Sequence, residues 1–308
     1  MDEMMILNDG GSPRKPIGPI LVALVVVAVL GAGMWYGVQA IRGGSEARRE
    51  AELAKSEEAA RQVEAAAAAA RRAADPAPAM IQAAREAQTA GYLSEAREKA
   101  YEALAAAVQP ENRVLAEQYL GELNLMLLTN PYPMAEKEDY TIQSGDKLAV
   151  LARRFGTTVE LISRSNNIRG HLIRPGDRIR ILRGAFRVEV NLTENTLTLL
   201  LNYRFIKKYP VGTGQFQKTP AGEFKITDRI AQPTWWRPDG KEIPYGHPEN
   251  VLGTHWLSLD LKGYGIHGTW QPESIGKRES AGCVRLLNTD IEELYTLLPV
   301  GVGVRILP

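Results

Sequence analysis

Tyr264-Gly265-Ile266-His267-Gly268-Thr269 and, a short gap later, Ser280-Ala281-Gly282-Cys283-Val284-Arg285-Leu286 decide how this chain is read. Cys283 is the single cysteine, so the fold carries no intrachain disulfide and rests on packing. A thiol attacks a carbonyl only as the thiolate, and a free cysteine near pKa 8.5 is mostly protonated at neutral pH. A neighbouring imidazole can take that proton and return it to a leaving amine. Gly282 leaves room for a substrate backbone beside Cys283, and the backbone N–H groups there can hold an oxyanion. By themselves one cysteine and one glycine-flanked histidine also fit a small buried structural thiol.

The flanking sequence is strand-rich. Phe186, Val188, Val190 and Leu192 alternate with Arg187, Glu189 and Asn191, the period of a half-buried strand. Glu194-Asn195 turns it. Leu197–Leu201 and Phe205–Val211 continue as strands joined at Asn202-Tyr203, where Asn tolerates a left-handed turn. Thr289 with Glu292 reads as a capping box, and Ile291, Leu294, Tyr295 and Leu298 share one helical face. Val302, Val304 and Ile306 form a last alternating strand. The expectation is a mostly β domain with one packed helix.

With these motifs, residues 185–308 resemble the YkuD-type L,D-transpeptidase catalytic domain. The carriers are His267-Gly268-Thr269, Ser280-Ala281-Gly282-Cys283 with Arg285, Val211-Gly212-Thr213-Gly214, and Thr219-Pro220-Ala221-Gly222-Glu223-Phe224. The resemblance implies Cys283 as nucleophile, His267 as base and the Gly268 carbonyl as its orienting partner. It implies the N–H groups of Gly282 and Cys283 as oxyanion donors. Arg285, Tyr264, Ser280, Trp235 and Trp236 are the expected substrate-binding residues. For Arg285 pairing within the fold stands beside a role in binding a substrate carboxylate, and packing is the alternative for the two tryptophans. Ala281 departs from the motif, which most often has a second His there; altered efficiency or specificity is expected rather than loss. His171, His247 and His255 lie outside the motif and read as structural or surface residues. Four scattered histidines and one cysteine make no metal site, and no cofactor is expected.

Upstream, residues 139–183 read as strand, two short helices and strand. Gly145-Asp146 can start the first helix and Gly156 can stop it. Thr157-Thr158 before Glu160 can start the second. Pro175-Gly176 turns into Ile179-Arg180-Ile181-Leu182. This stretch resembles a βααβ LysM domain, which implies binding of N-acetylglucosamine-containing glycans such as peptidoglycan. Lys147 stands where that family usually has Thr or Ser, which puts the contacts near that turn in doubt.

Residues 79–130 show helical periodicity. Ile81, Ala84, Ala87 and Gln88 mark one face; Leu93, Ala96, Ala100, Leu104 and Val108 a second; Val114, Leu115, Leu120, Leu123, Leu127 and Leu128 a third. The pattern is TPR-like but short of the three repeats a solenoid needs, so a packing module is preferred over a partner-binding one. Residues 42–78 form a charged Ala/Glu/Arg spacer with little to bury, closed by Pro76 and Pro78.

Ile17–Ile41 carries no Asp, Glu, Lys or Arg. Its 25 residues span about 37 Å as a helix, against about 30 Å of bilayer core. It is expected to be an uncleaved transmembrane helix, with residues 1–16 cytoplasmic. Val38-Gln39-Ala40 offers a cleavage site as the alternative. Arg42, Arg48 and Arg49 argue by the positive-inside count for a cytoplasmic main body; the wall chemistry argues for a periplasmic one and is preferred. A net charge of +1 over 308 residues disfavours a dedicated nucleic-acid binder.

The expectation is thus a multidomain α+β protein held in the inner membrane, with peptidoglycan stem peptides and glycan strands as partners. The implied activity is release of D-alanine from a stem tetrapeptide through a cysteine thioester, then transfer to an amine to give a 3→3 cross-link. An L,D-carboxypeptidase using water, or a non-catalytic LysM scaffold, are the alternatives.

Overall fold

A computed structural model describes residues 46–73, 75–170, 172–237 and 239–308. The expected cytoplasmic terminus and membrane segment, 1–16 and 17–41, lie outside these residues, as does His171. No helix among the described residues is long and apolar enough to cross a membrane. Two compact units are present, divided after Ala74.

The first unit contributes α1 (Glu46–Ala73). Ala, Glu and Arg favour the helix. Leu53 is exposed, and no apolar stripe runs along the described side chains.

The second unit opens with three helices: α2 (Ala77–Thr89), α3 (Leu93–Ala106) and α4 (Pro110–Thr129). Their small faces interlock through Ala84, Ala96, Ala100, Ala103 and Ala116, all fully buried. Val108, Val114 and Leu115, expected on the packing faces, are exposed. Val108 lies beyond the end of α3, and Val114 and Leu115 sit in the first turns of α4, where its opposite flank meets solvent.

Next come β1 (Lys137–Thr141), α5 (Leu148–Phe155), α6 (Val159–Ser165) and β2 (Arg178–Leu182), with β1 and β2 antiparallel. Ile142, Leu148, Leu151, Phe155, Ile162, Ile179 and Ile181 form a core of their own. Gly156 ends α5 at φ 66°, and the Thr158 hydroxyl caps α6 by accepting from Leu161 N–H at 2.9 Å. The first helix is capped at Lys147, not Asp146. The Asp146 carboxylate instead holds the preceding turn, accepting from Gln143 N–H (2.7 Å) and the Tyr140 hydroxyl (2.9 Å).

The remaining elements are β3 (Phe186–Asn191), β4 (Thr196–Leu201), β5 (Arg204–Pro210), β6 (Thr213–Gly214), β7 (Gly222–Ala231), β8 (Trp235–Trp236), β9 (Glu242–Ile243), β10 (His255–Leu259), β11 (Gly265–His267), β12 (Arg278–Ser280), β13 (Val284–Arg285), α7 (Asn288–Leu297) and β14 (Gly303–Leu307). Eight of them form one sheet in the order β13-β11-β10-β7-β14-β3-β4-β5. The expected alternation holds in β3 and β4, whose Phe186, Val188, Val190, Leu197, Leu199 and Leu201 point into the core. Asn202 and Tyr203 make the hairpin at φ 50° and 62°. The expected capping box at Thr289 does not form. The cap falls on Leu287, and α7 begins at Asn288, whose side chain turns back to accept from Thr254 N–H at 3.1 Å.

The two edges of the sheet are treated differently. At the β5 edge, α4 covers the strand. Asn124 donates to the Phe205 and Ile206 carbonyls (3.2 and 3.1 Å), and the Tyr101 hydroxyl donates to Phe205 O (2.7 Å). An uncovered edge is a template for unwanted strand pairing. Leu120, Leu123, Leu127 and Leu128 join the helices to the sheet in one core, each contributing roughly 1.5–3 kcal/mol by burial. The opposite edge, β13, carries the site.

Candidate functional site

β11 and β13 run parallel, with Ile266 opposite Val284 and His267 opposite Arg285. Side chains alternate along a strand. His267 therefore shares a face with Cys283, the residue just before β13, and with Arg285. The Leu286 N–H donates to the His267 carbonyl at 2.8 Å and fixes this register beyond the strand end.

The imidazole is buried, at 3% exposure. Its Nδ1 lies 2.6 Å from the Gly268 carbonyl. A carbonyl only accepts, so Nδ1 carries the proton and Nε2 keeps the lone pair. Burial, with help from the Arg285 guanidinium, pulls the pKa down to about 4 against the favourable carbonyls of Gly268 and Leu252. At neutral pH the ring is neutral and able to accept a proton. The Trp256 ring, directly across the β10–β11 ladder, stacks on it with centroids 5.4 Å apart and planes 20° apart. Trp256 is itself held by its Nε1–H, which donates to Ser258 Oγ at 2.8 Å. A side chain at Gly265 would stand 2.4 Å from the Trp256 ring, and one at Gly268 would stand 2.2 Å from Asn288 Oδ1.

Cys283 is half-buried. Its thiol donates to the Gly263 carbonyl at 3.6 Å. Burial pushes its pKa up, opposed by the Gly265 N–H and the Arg285 guanidinium. Burial thus disfavours the charged form of both the thiol and the imidazole.

The loop before Cys283 corrects two expectations. Ser280 is buried, and its hydroxyl accepts from Gly282 N–H (3.1 Å) and donates to the Cys283 carbonyl (2.6 Å). It shapes the loop and is not open to substrate. The Gly282 N–H, expected as an oxyanion donor, is engaged by that same hydroxyl. The Cys283 N–H has no hydrogen bond among the described residues.

Tyr264 presents its ring to Gly282, where an added Cβ would meet Tyr264 Cε1 at 2.8 Å. The Arg285 Nε is buried without a hydrogen-bond partner. Trp235 and Trp236 lie on the two-stranded β8–β9 hairpin, Trp235 opposite Ile243 and Trp236, 67% exposed, opposite Glu242. Asn250 pins the base of that hairpin by donating to the Pro233 and Ile243 carbonyls (3.0 and 3.1 Å). His247 accepts from Glu249 N–H at 3.1 Å. His255 packs on Tyr295 at 4.4 Å.

Sequence reading passed over Trp256, Gly263, Asn288 and, as an individual residue, Thr219. The Thr219 hydroxyl joins two loops, accepting from Gly214 N–H (2.7 Å) and donating to the Gly282 carbonyl (2.8 Å). Its place in the Thr219-Pro220-Ala221-Gly222 turn was the available signal.

The site thus sets a thiol one residue before β13 beside an imidazole on the neighbouring β11, in a mostly β domain. The L,D-transpeptidase catalytic-domain (YkuD) model matches residues 185–306 and the LysM model residues 140–182. YkuD of Bacillus licheniformis is 36% identical over 177 residues, covering 55% of this chain and 98% of that protein. YkuD of Bacillus subtilis (strain 168) is 34% identical over 175 residues, covering 54% and 97%. YqjB of the same strain is 39% identical over 125 residues, covering 39% and 69%. All three carry the L,D-transpeptidase name. The chain belongs to the L,D-transpeptidase family.

Proposed function

We propose that this protein forms a Cys283 thioester with the tetrapeptide stem of peptidoglycan, releases D-alanine and passes the acyl group to an amine, giving a 3→3 cross-link. The observation that supports this is the placement of Cys283 one residue before β13 and of His267 on its parallel neighbour β11, with Nδ1 tied to Gly268 O and Nε2 left as the base.

In the first step the Cys283 thiol proton passes to His267 Nε2 as sulfur bonds to the carbonyl carbon of the residue before D-alanine. Charge builds on the carbonyl oxygen, within reach of the Cys283 N–H. The C–N bond then breaks, and the imidazolium returns its proton to the departing amine of D-alanine. In the second step an acceptor amine adds to the thioester and loses a proton to His267. The C–S bond breaks and the thiol is restored.

Arg285, with its Nε buried and unpaired, is the group for a substrate carboxylate. Tyr264 and the tryptophans of the 235–243 hairpin border the substrate. The LysM stretch holds glycan strands, and tethering a weak binder beside its polymer raises its effective concentration. Residues 17–41 anchor the chain in the inner membrane with the catalytic and LysM regions on the periplasmic side, and α1 serves as the spacer. With Ala281 in place of a second His, the nucleophile loses a polar neighbour but keeps its base.

The test is product analysis with a tetrapeptide donor, with and without an amine acceptor. A cross-linked product that needs the acceptor supports transpeptidation. Tripeptide and D-alanine at equal rates in both arms would assign water as the acceptor and make the enzyme a carboxypeptidase.

A further inference from the structure

Gly282 occupies φ 140°, a region open to glycine, and has no side chain to hold its peptide planes. The Gly282–Cys283 peptide is planar, and in the trans form its carbonyl and N–H point in opposite directions. Whatever grips the Gly282 carbonyl therefore also aims the Cys283 N–H. That grip is the Thr219 hydroxyl, which donates to Gly282 O at 2.8 Å. The direction is unambiguous, because the same oxygen accepts from Gly214 N–H at 2.7 Å and a carbonyl cannot donate.

The junction is tight. Thr219 is 3% exposed. A Cβ at Gly214 would lie 2.7 Å from Thr219 N, 2.9 Å from Thr219 Oγ1 and 3.0 Å from Gly282 Cα. On the other side of Gly282 the Tyr264 ring closes the space. Because Ser280 engages the Gly282 N–H, the Cys283 N–H has to meet the oxyanion without it.

We propose that Thr219 is a positioning residue for the acyl transfer: by holding the Gly282 carbonyl it points the Cys283 N–H at the oxyanion that forms on the substrate. This rests on Cys283 being the nucleophile.

The test separates a reaction that builds an oxyanion from one that does not. A carbapenem acylates the thiol through a tetrahedral oxyanion, whereas iodoacetamide alkylates it by displacement at a saturated carbon. Both rates are followed by intact mass on the full chain for wild type, Thr219→Val and Thr219→Ser. Removing an oxyanion donor outright costs about 10²–10³ in rate, so misaiming one is expected to slow acylation by Thr219→Val about 10- to 100-fold. Alkylation of that variant is expected at the wild-type rate, and Thr219→Ser, which keeps the hydroxyl, is expected to restore acylation. Acylation of Thr219→Val at the wild-type rate overturns the proposal. So does a parallel fall in acylation and alkylation, which would mean that Thr219 only holds the loop together. A wild-type thiol that alkylates but never acylates overturns the proposed function itself.

Discussion

His267 and Cys283 reach the same face by different means. The imidazole stands on a strand inside the eight-stranded sheet, pressed by Trp256 from the neighbouring strand and tied to the next carbonyl in its own chain. The thiol stands in the short irregular link between β12 and β13. Two hydroxyls, those of Ser280 and Thr219, do for that loop what the ladder does for β11. His267 is held by packing and one short bond to Gly268 O, whereas the loop of Cys283 is held by individual side-chain hydrogen bonds, each of which can be removed alone.

Removing the base gives the largest expected effect. His267→Gln should slow carbapenem acylation by about 10²–10⁴, the usual range for general acid–base catalysis, with the fold retained by circular dichroism.

The buried ring should next show itself in stability. Its folded pKa of about 4 lies below the unfolded value near 6.5. Below about pH 6.5 the unfolded chain takes up a proton that the folded chain refuses until about pH 4. Stability is therefore complete above pH 6.5 and falls by on the order of 3 kcal/mol as the pH drops to 4. Urea unfolding at pH 7 and pH 4 should show a smaller loss in His267→Gln than in wild type; an equal loss would mean that the ring is not buried neutral.

Gly268→Ala tests the packing around the base. Its Cβ would lie 2.2 Å from Asn288 Oδ1, pushing Asn288 off the Thr254 N–H. A loss of about 1–3 kcal/mol is expected from such overpacking, read as a fall in Tm.

Ser280→Ala is the smallest change, expected to cost about 1–3 kcal/mol or less as Gly282 N–H and Cys283 O lose their shared partner. The comparison is sharpened if acylation falls while the pH dependence of stability does not change, because the hydroxyl then acts on the loop and not on the base.

The alternating strands β3 and β4 and the Asn202-Tyr203 turn were legible because a period of two and a left-handed-tolerant residue are local signals. Cys283 and His267 were singled out by the family resemblance of their motifs, since one cysteine and one glycine-flanked histidine also fit a structural thiol. What sequence did not reveal was long-range. Val114 and Leu115 look apolar enough to pack, but only the tertiary arrangement of α4 shows which flank meets β5. The capping box does not form: the helix starts one residue before Thr289, at Asn288, whose side chain accepts from Thr254 N–H just before β10. Ser280 was read as open to substrate because nothing local shows that its hydroxyl closes onto the residue three ahead. Trp256 pairs with His267 only through the β10–β11 register.

The most direct test is intact mass of wild type and Cys283→Ala after incubation with a carbapenem at neutral pH. A single covalent adduct on wild type and none on the variant is the predicted result. An unmodified wild type, or an adduct of equal yield on both proteins, would contradict a nucleophilic Cys283.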